Sequence, residues 1–302
     1  MAAPTLRPLR VTEILDVAIK IYTKNAATLW KIVALIVVPV NIMSALVLVS
    51  TFPDEVFDPD FGSDPTTASI DPDQIWTIVG ANVLVAIIAG ITVLIATAAC
   101  LKAVSDAYLG SKPDASSSLK FAAKRTHSLV WVAFLGFLIP TLGLLLLIVP
   151  GVWWWVSFTV AAPVFLIEGP KGFKALRRSF RLVKGRWWPV FGAVLVGFML
   201  AGAIQFAIGA LTAPLVFTDA ADNLFLTVAV DTLANTIAGV LTTPFQAALI
   251  AILYFDLRVR KEGFDLELLA QRIGTAPDFS QRPDFFPYDM YQPEPPPPGS
   301  GT

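Results

Sequence analysis

The chain offers few groups for chemistry. Among its 302 residues there is one histidine, His127, and one cysteine, Cys100. His127 opens an apolar run beside Arg125 and Ser128 and reads as a polar residue at a boundary. Alone it provides neither a histidine metal site nor an acid–base pair of histidines. Cys100 lies inside an apolar run and reads as a small buried residue. A single cysteine makes no internal disulfide and no Cys-based metal cluster. No GxSxG elbow and no Walker A loop occurs. Carboxylates remain. Asp106, Glu168 and Asp256 would be the acids of a membrane-embedded lipid-modifying enzyme, yet each stands at the end of an apolar run, where charges are ordinary. The acidic segment 53–74 contains DPDFGSDP, which lacks the glycine and terminal glutamate spacing of a calcium loop and reads as a solvated loop. The expectation is no catalytic residue, no metal and no cofactor.

Anion binding is the chemistry best represented. The stretch FKALRRSFRLVKGRWWPVFG, 173–192, carries Lys174, Arg177, Arg178, Arg181, Lys184 and Arg186. Phe173, Leu176, Phe180 and Val183 recur at steps of three and four, which is one helical face. Trp187 and Trp188 follow where a span would enter the headgroup layer. A nucleic-acid site wants a basic surface facing water without an apolar face to bury, and the chain's formal net charge is only −1. An amphipathic helix lying in the interface accounts for the whole pattern. The six cations are therefore candidates for contact with lipid headgroups, each worth about 1 kcal/mol beside an anionic leaflet. Anionic lipid is the expected partner, a membrane-protein partner is admitted, and nucleic acid is not expected.

A second polar set lies inside the apolar runs. Asp231 and Asn235 are four apart and share a helix face, with Gln246 farther along the same run. Asn41, Asn82 and Gln205 fall within other runs. Such groups are costly in hydrocarbon. Two readings stay open: hydrogen bonds between helices or solvation by outer headgroups, and the lining of a cavity or path.

The elements that carry these residues follow from composition. Hydrophobic residues make up 55% and charged residues 15%, against about 25% charged in a soluble domain. Six apolar runs reach the roughly 20 residues of a bilayer span: about 29–52, 75–101, 129–149, 151–167, 187–213 and 224–255. The sixth is overlong and is expected to tilt, kink at Pro244 or project. All 22 Lys and Arg fall in segments 1–31, 102–125, 168–186 and 256–302, and none in the alternate connections. Basic residues favour the cytoplasmic side, so both termini are expected inside. The first apolar run begins too far in for a signal peptide and is expected to be retained. Segments 11–24, 117–126 and 171–184 each read as a short amphipathic helix ahead of a span. The predicted fold is all-α: a polytopic membrane protein of three hairpins, each preceded by an inner-surface helix, over 1–273. A further surface helix is expected at 264–273. The tail 274–302, with PEPPPP at 293–298, reads as disordered and cytoplasmic. Turning of the third span into the fourth is placed at Val149-Pro150-Gly151. Ala86 with Gly90, and Gly197 with Ala201, are expected at close helix contacts.

Three stretches, RPLRVTEILDVAIKIYTKN at 7–25, 149–192, and TTPFQAALIAILYFDLRVRKEGFDLELLA at 242–270, resemble the bacterial membrane-domain family named after glycerophosphoryl diester phosphodiesterases. The resemblance implies a multi-pass protein of the bacterial plasma membrane. It brings no catalytic residue, because the phosphodiesterase that sometimes accompanies that domain is a separate soluble barrel with no counterpart here. The expected function is a non-enzymatic scaffold or accessory subunit that grips anionic inner-leaflet lipid. A transporter for an amphiphile or lipid precursor, lined by Asp231, Asn235 and Gln246, is the alternative, and a lipid-modifying enzyme the third reading.

Overall fold

A computed structural model describes residues 8–51, 72–214, 224–264 and 266. These residues are 91% helical and contain no strand. Six helices are long and apolar enough to cross a membrane. The protein is an all-α polytopic membrane protein. The acidic segment 53–71, the connection 215–223 and the Pro-rich tail lie outside the described residues, as does nearly all of 264–273.

Helix α1 (Val11–Lys24) is amphipathic, with Ile14 and Ala18 on its buried side. It packs against the last helix and leads through Asn25 into α2 (Ala26–Thr51). Helix α3 (Pro72–Tyr108) has 37 residues, about 55 Å at 1.5 Å per residue, so it outruns a hydrocarbon core of about 30 Å. Helix α4 (Ala115–Leu146) is capped by Asp114, whose side chain accepts the Ser117 N–H at 2.7 Å. The segment 117–126 is therefore no separate surface helix. It forms the opening turns of α4, because nothing between it and the span breaks the helix.

The fourth span is interrupted. Helix α5 (Ile148–Phe158) ends at Thr159, a short helix α6 (Ala161–Pro163) follows, and a π-helical turn runs Val164–Glu168. Pro163 supplies the cause: it has no N–H, and its ring crowds the carbonyl four residues back. The turn into this span comes at Leu147, whose extended backbone (φ −157°) joins α4 to α5. It comes earlier than expected because Pro150 is tolerated in a first helical turn.

Helix α7 (Phe173–Val183) buries Ala175, Leu176, Ser179, Leu182 and Val183 against the bundle. Phe173 is left exposed. The apolar face is thus turned toward protein and rotated from the expected row. Helices α8 (Trp187–Thr212) and α9 (Leu224–Glu262) complete the chain. The spans pair as α2 with α3, α4 with α5, and α8 with α9. Helix α9 is the central post and touches α1, α2, α3, α7 and α8. Ala247, Ala248, Ala251, Ile252, Tyr254 and Phe255 are all fully buried, the signature of a helix enclosed on every side. Gly197 meets Leu249 closely, as expected of a small residue at a helix contact. The Ala86–Gly90 face differs: both residues are exposed, and a Cβ on Gly90 would meet nothing within 4 Å.

Candidate functional site

The basic segments converge on one end of the bundle. At the foot of α3, Lys102 pairs with Asp106 and lies 5.7 Å over the Phe121 ring of α4. Arg125 of α4 covers the other contact of that ring at 4.0 Å and donates to the Leu166 carbonyl at 2.7 Å. This ties the start of α4 to the π-helical turn.

That turn ends in Glu168, which anchors a network of two acids and two arginines. Arg178 on α7 grips Glu168 in a two-pronged pair, Nε to Oε2 at 2.7 Å and Nη2 to Oε1 at 3.1 Å. It also donates to Glu262 at the end of α9 at 2.8 Å. The Tyr254 hydroxyl donates to Glu168 at 2.9 Å, and Arg258 reaches Glu262 at 3.2 Å while covering the Phe264 ring at 4.1 Å. Burial opposes charge on Arg178, but its hydrogen bonds to Glu262 and Glu168 outweigh burial and raise its pKa. The network balances its own charge and fastens α7 to α9.

Two further clamps complete this end. Lys261 donates to the carbonyls of Arg181, at 2.8 Å, and Lys184, so it satisfies the C-terminal carbonyls of α7. Asp256 accepts from the Leu9 N–H at 2.7 Å and from Arg260 Nε at 2.9 Å, and Arg260 donates in turn to the Leu9 carbonyl. The segment before α1 is thereby stapled to α9. Beside that staple lies a cavity of about 340 Å³ between α1, α8 and α9, with Arg10, Arg186, Arg260 and Asp256 among its lining residues.

The six predicted headgroup contacts therefore separate. Lys174, Arg177 and Lys184 are exposed. Arg178 is committed to Glu168 and Glu262, which withdraws it from the headgroup set. Arg181 is half-buried. Arg186 is half-buried at the start of α8 and faces the cavity. The three carboxylates weighed for catalysis are held apart: Asp106 by Lys102, Glu168 by Arg178 and Tyr254, Asp256 by Arg260. His127 is exposed and Cys100 fully buried. Among the described residues no group of three His, Cys, Asp or Glu is placed to hold a metal ion.

The intramembrane polar residues form a separate, distant set. Gln205 of α8 donates to Asn235 at 3.0 Å, and Asn235 donates to the Asp231 carboxylate at 2.9 Å. Asn41 of α2 donates to Thr236 at 2.7 Å, whereas Asn82 turns back on its own helix at 2.8 Å. The Gln205–Asn235 and Asn41–Thr236 bonds join different helices, whereas the Asn235–Asp231 and Asn82 bonds stay within one. Asp231 and Asn235 are exposed, and Asp231 lies about 46 Å along α9 from Glu262, close to the opposite rim. Gln246 is half-buried some 16 Å nearer the basic end than Asn235, so it does not join them.

Arg10, Tyr254, Arg258, Arg260, Lys261 and Glu262 do not stand out in the sequence. Two signals were available: Asp256 with Arg260 and Arg258 with Glu262 are each four apart, the spacing of a helical ion pair. No curated protein and no solved structure matches the chain. One family model does match, over residues 72–257, more than half of the chain: the protein belongs to the family described as a domain of unknown function, DUF7847.

Proposed function

We propose that the protein is a non-enzymatic scaffold or accessory subunit of a bacterial plasma membrane, with both termini cytoplasmic and its basic end set on anionic inner-leaflet lipid. One observation carries this reading: six apolar helices gather their Lys and Arg at a single end. An anionic leaflet attracts such an end, by about 1 kcal/mol per cation near the surface. The exposed set Lys174, Arg177 and Lys184 is the part available to headgroups. The resemblance of 7–25, 149–192 and 242–270 to the phosphodiesterase membrane-domain family is in keeping with this reading, and kinship with that family is part of the proposal.

The test is reconstitution of the full chain in neutral and in anionic bilayers. Thermal unfolding is expected at a higher temperature in the anionic bilayer. Lys174→Gln/Arg177→Gln/Lys184→Gln should remove most of the difference, as should high salt, which screens exposed charges. Equal melting in the two lipids for the unaltered chain would sink the reading. The transporter alternative needs a route along α9, whose inner half is packed on every side by apolar residues in this conformation.

A further inference from the structure

The cavity between α1, α8 and α9 is lined by more cations than acids. Three arginines line it against one aspartate. Asp256 is engaged by Arg260 and the Leu9 N–H. Arg10 and Arg186 bring two positive charges that no acid among the lining residues balances, while Glu13, just outside the lining, accepts the Arg10 N–H at 2.8 Å. Helix α8 begins here with no acid in its first turn, so the positive end of its dipole adds to the same potential, whereas the start of α1 is met by Glu13. The floor beneath is closed by packed apolar side chains, Ile14 of α1, Val190 of α8, and Leu253 and Leu257 of α9. Those same residues are among the most buried in the protein. At about 340 Å³ the space falls within the range of small-molecule sites, roughly 300–1,000 Å³.

A cationic mouth beside Trp187 and Trp188, which open the membrane-crossing helix α8, suits one kind of ligand. We propose that this cavity is a discrete site for the phosphoryl headgroup of an anionic lipid, with Arg10 and Arg186 on the phosphate oxygens. The site deepens the proposed function and rests on its reading that this end meets an anionic leaflet. It differs from the cations of α7 in that Arg10 and Arg186 line a cavity, whereas Lys174, Arg177 and Lys184 do not and would attract many lipids loosely. Arginine suits the role because its planar fork matches phosphate oxygens. The Asp256–Arg260–Leu9 clamp holds the Arg10 backbone beside the mouth, so the site is part of the folded bundle.

The experiment uses the full chain purified in mild detergent and read by native mass spectrometry at high salt, after exposure to phosphatidylglycerol. One lipid per chain is expected to be retained. Arg10→Gln/Arg186→Gln should lower that retention at least tenfold, while Lys112→Gln/Lys120→Gln/Lys124→Gln, at exposed cations outside the cavity and outside the α7 set, should leave it unchanged. Dioctanoyl phosphatidylglycerol is expected to raise the melting temperature, with inorganic phosphate at equal concentration having little effect. Unaltered retention in the Arg10/Arg186 variant overturns the site. Equal protection by inorganic phosphate overturns the lipid in favour of a free anion. The elution profile and lipid-free melting of the variant report whether it is folded. Failure of the broader reading shows elsewhere, as bilayer melting indifferent to anionic lipid, and so is told apart from failure of the site.

Discussion

Arg177 and Arg178 are neighbours of one type, yet the fold uses them differently. Arg177 is exposed on α7, while Arg178 spans two carboxylates on two other elements. Hydrogen bonds to charged groups contribute about 1.5–3 kcal/mol each to stability when partly buried. Arg178→Ala is expected to cost an amount in that range and to loosen α7, because Glu168 and Glu262 keep their charge and lose a partner. Arg177→Ala should fall within about 0.5 kcal/mol of the parent, as exposed surface changes do. Denaturation of the two variants side by side checks this, and equal losses would refute it. The distinction was not legible in the sequence. Helical spacing puts both residues in the basic sector of α7, and only the placement of Glu168 by the π-helical turn selects one of them. Asp256 with Arg260 was legible from spacing, but not its grip on Leu9, which joins residues 247 positions apart.

Elements were easier to read than their junctions. Apolar run length fixes the existence of a span, and the six spans and their pairing follow from it. Junctions depend on single residues. The α4–α5 turn falls at Leu147 because Gly143 and Gly151 let the two helices touch there. A Cβ added at Gly151 would lie 2.5 Å from the Leu144 nitrogen and 2.7 Å from its Cα, both backbone atoms unable to yield. Gly151→Ala is therefore expected to cost about 1–3 kcal/mol, the usual penalty of overpacking. Gly90→Ala, with nothing in reach, should be tolerated or slightly stabilising, since alanine favours the helix by about 1 kcal/mol over glycine. Melting temperatures of the two variants in one lipid would decide it, and the reverse order would refute the close approach. The surface helices show the same limit. An amphipathic period predicts a buried face but does not say what covers it. For α1 and α7 the cover is the bundle, with α9 foremost for α1.

At the scale of the whole molecule, the decisive feature is that charge sorts along one axis. The connections opposite the basic end carry no Lys or Arg, and the clamps through Glu168, Asp256 and Lys261 gather the basic segments into one face. Moving that face to the outer side would set its cations against the positive-inside preference. Labelling can test the orientation cleanly, because the one native thiol, Cys100, is fully buried in α3 and should stay silent toward a polar reagent. A cysteine placed at Lys174, an exposed position on α7, is expected to react only after the membrane is opened. A cysteine at Asp60, in the acidic connection between α2 and α3, should react in intact cells. The reverse pattern would turn the molecule over and detach its basic end from the inner leaflet. The cavity at Arg10 and Arg186 would then face the outer leaflet, and only lipids of that leaflet could fill it.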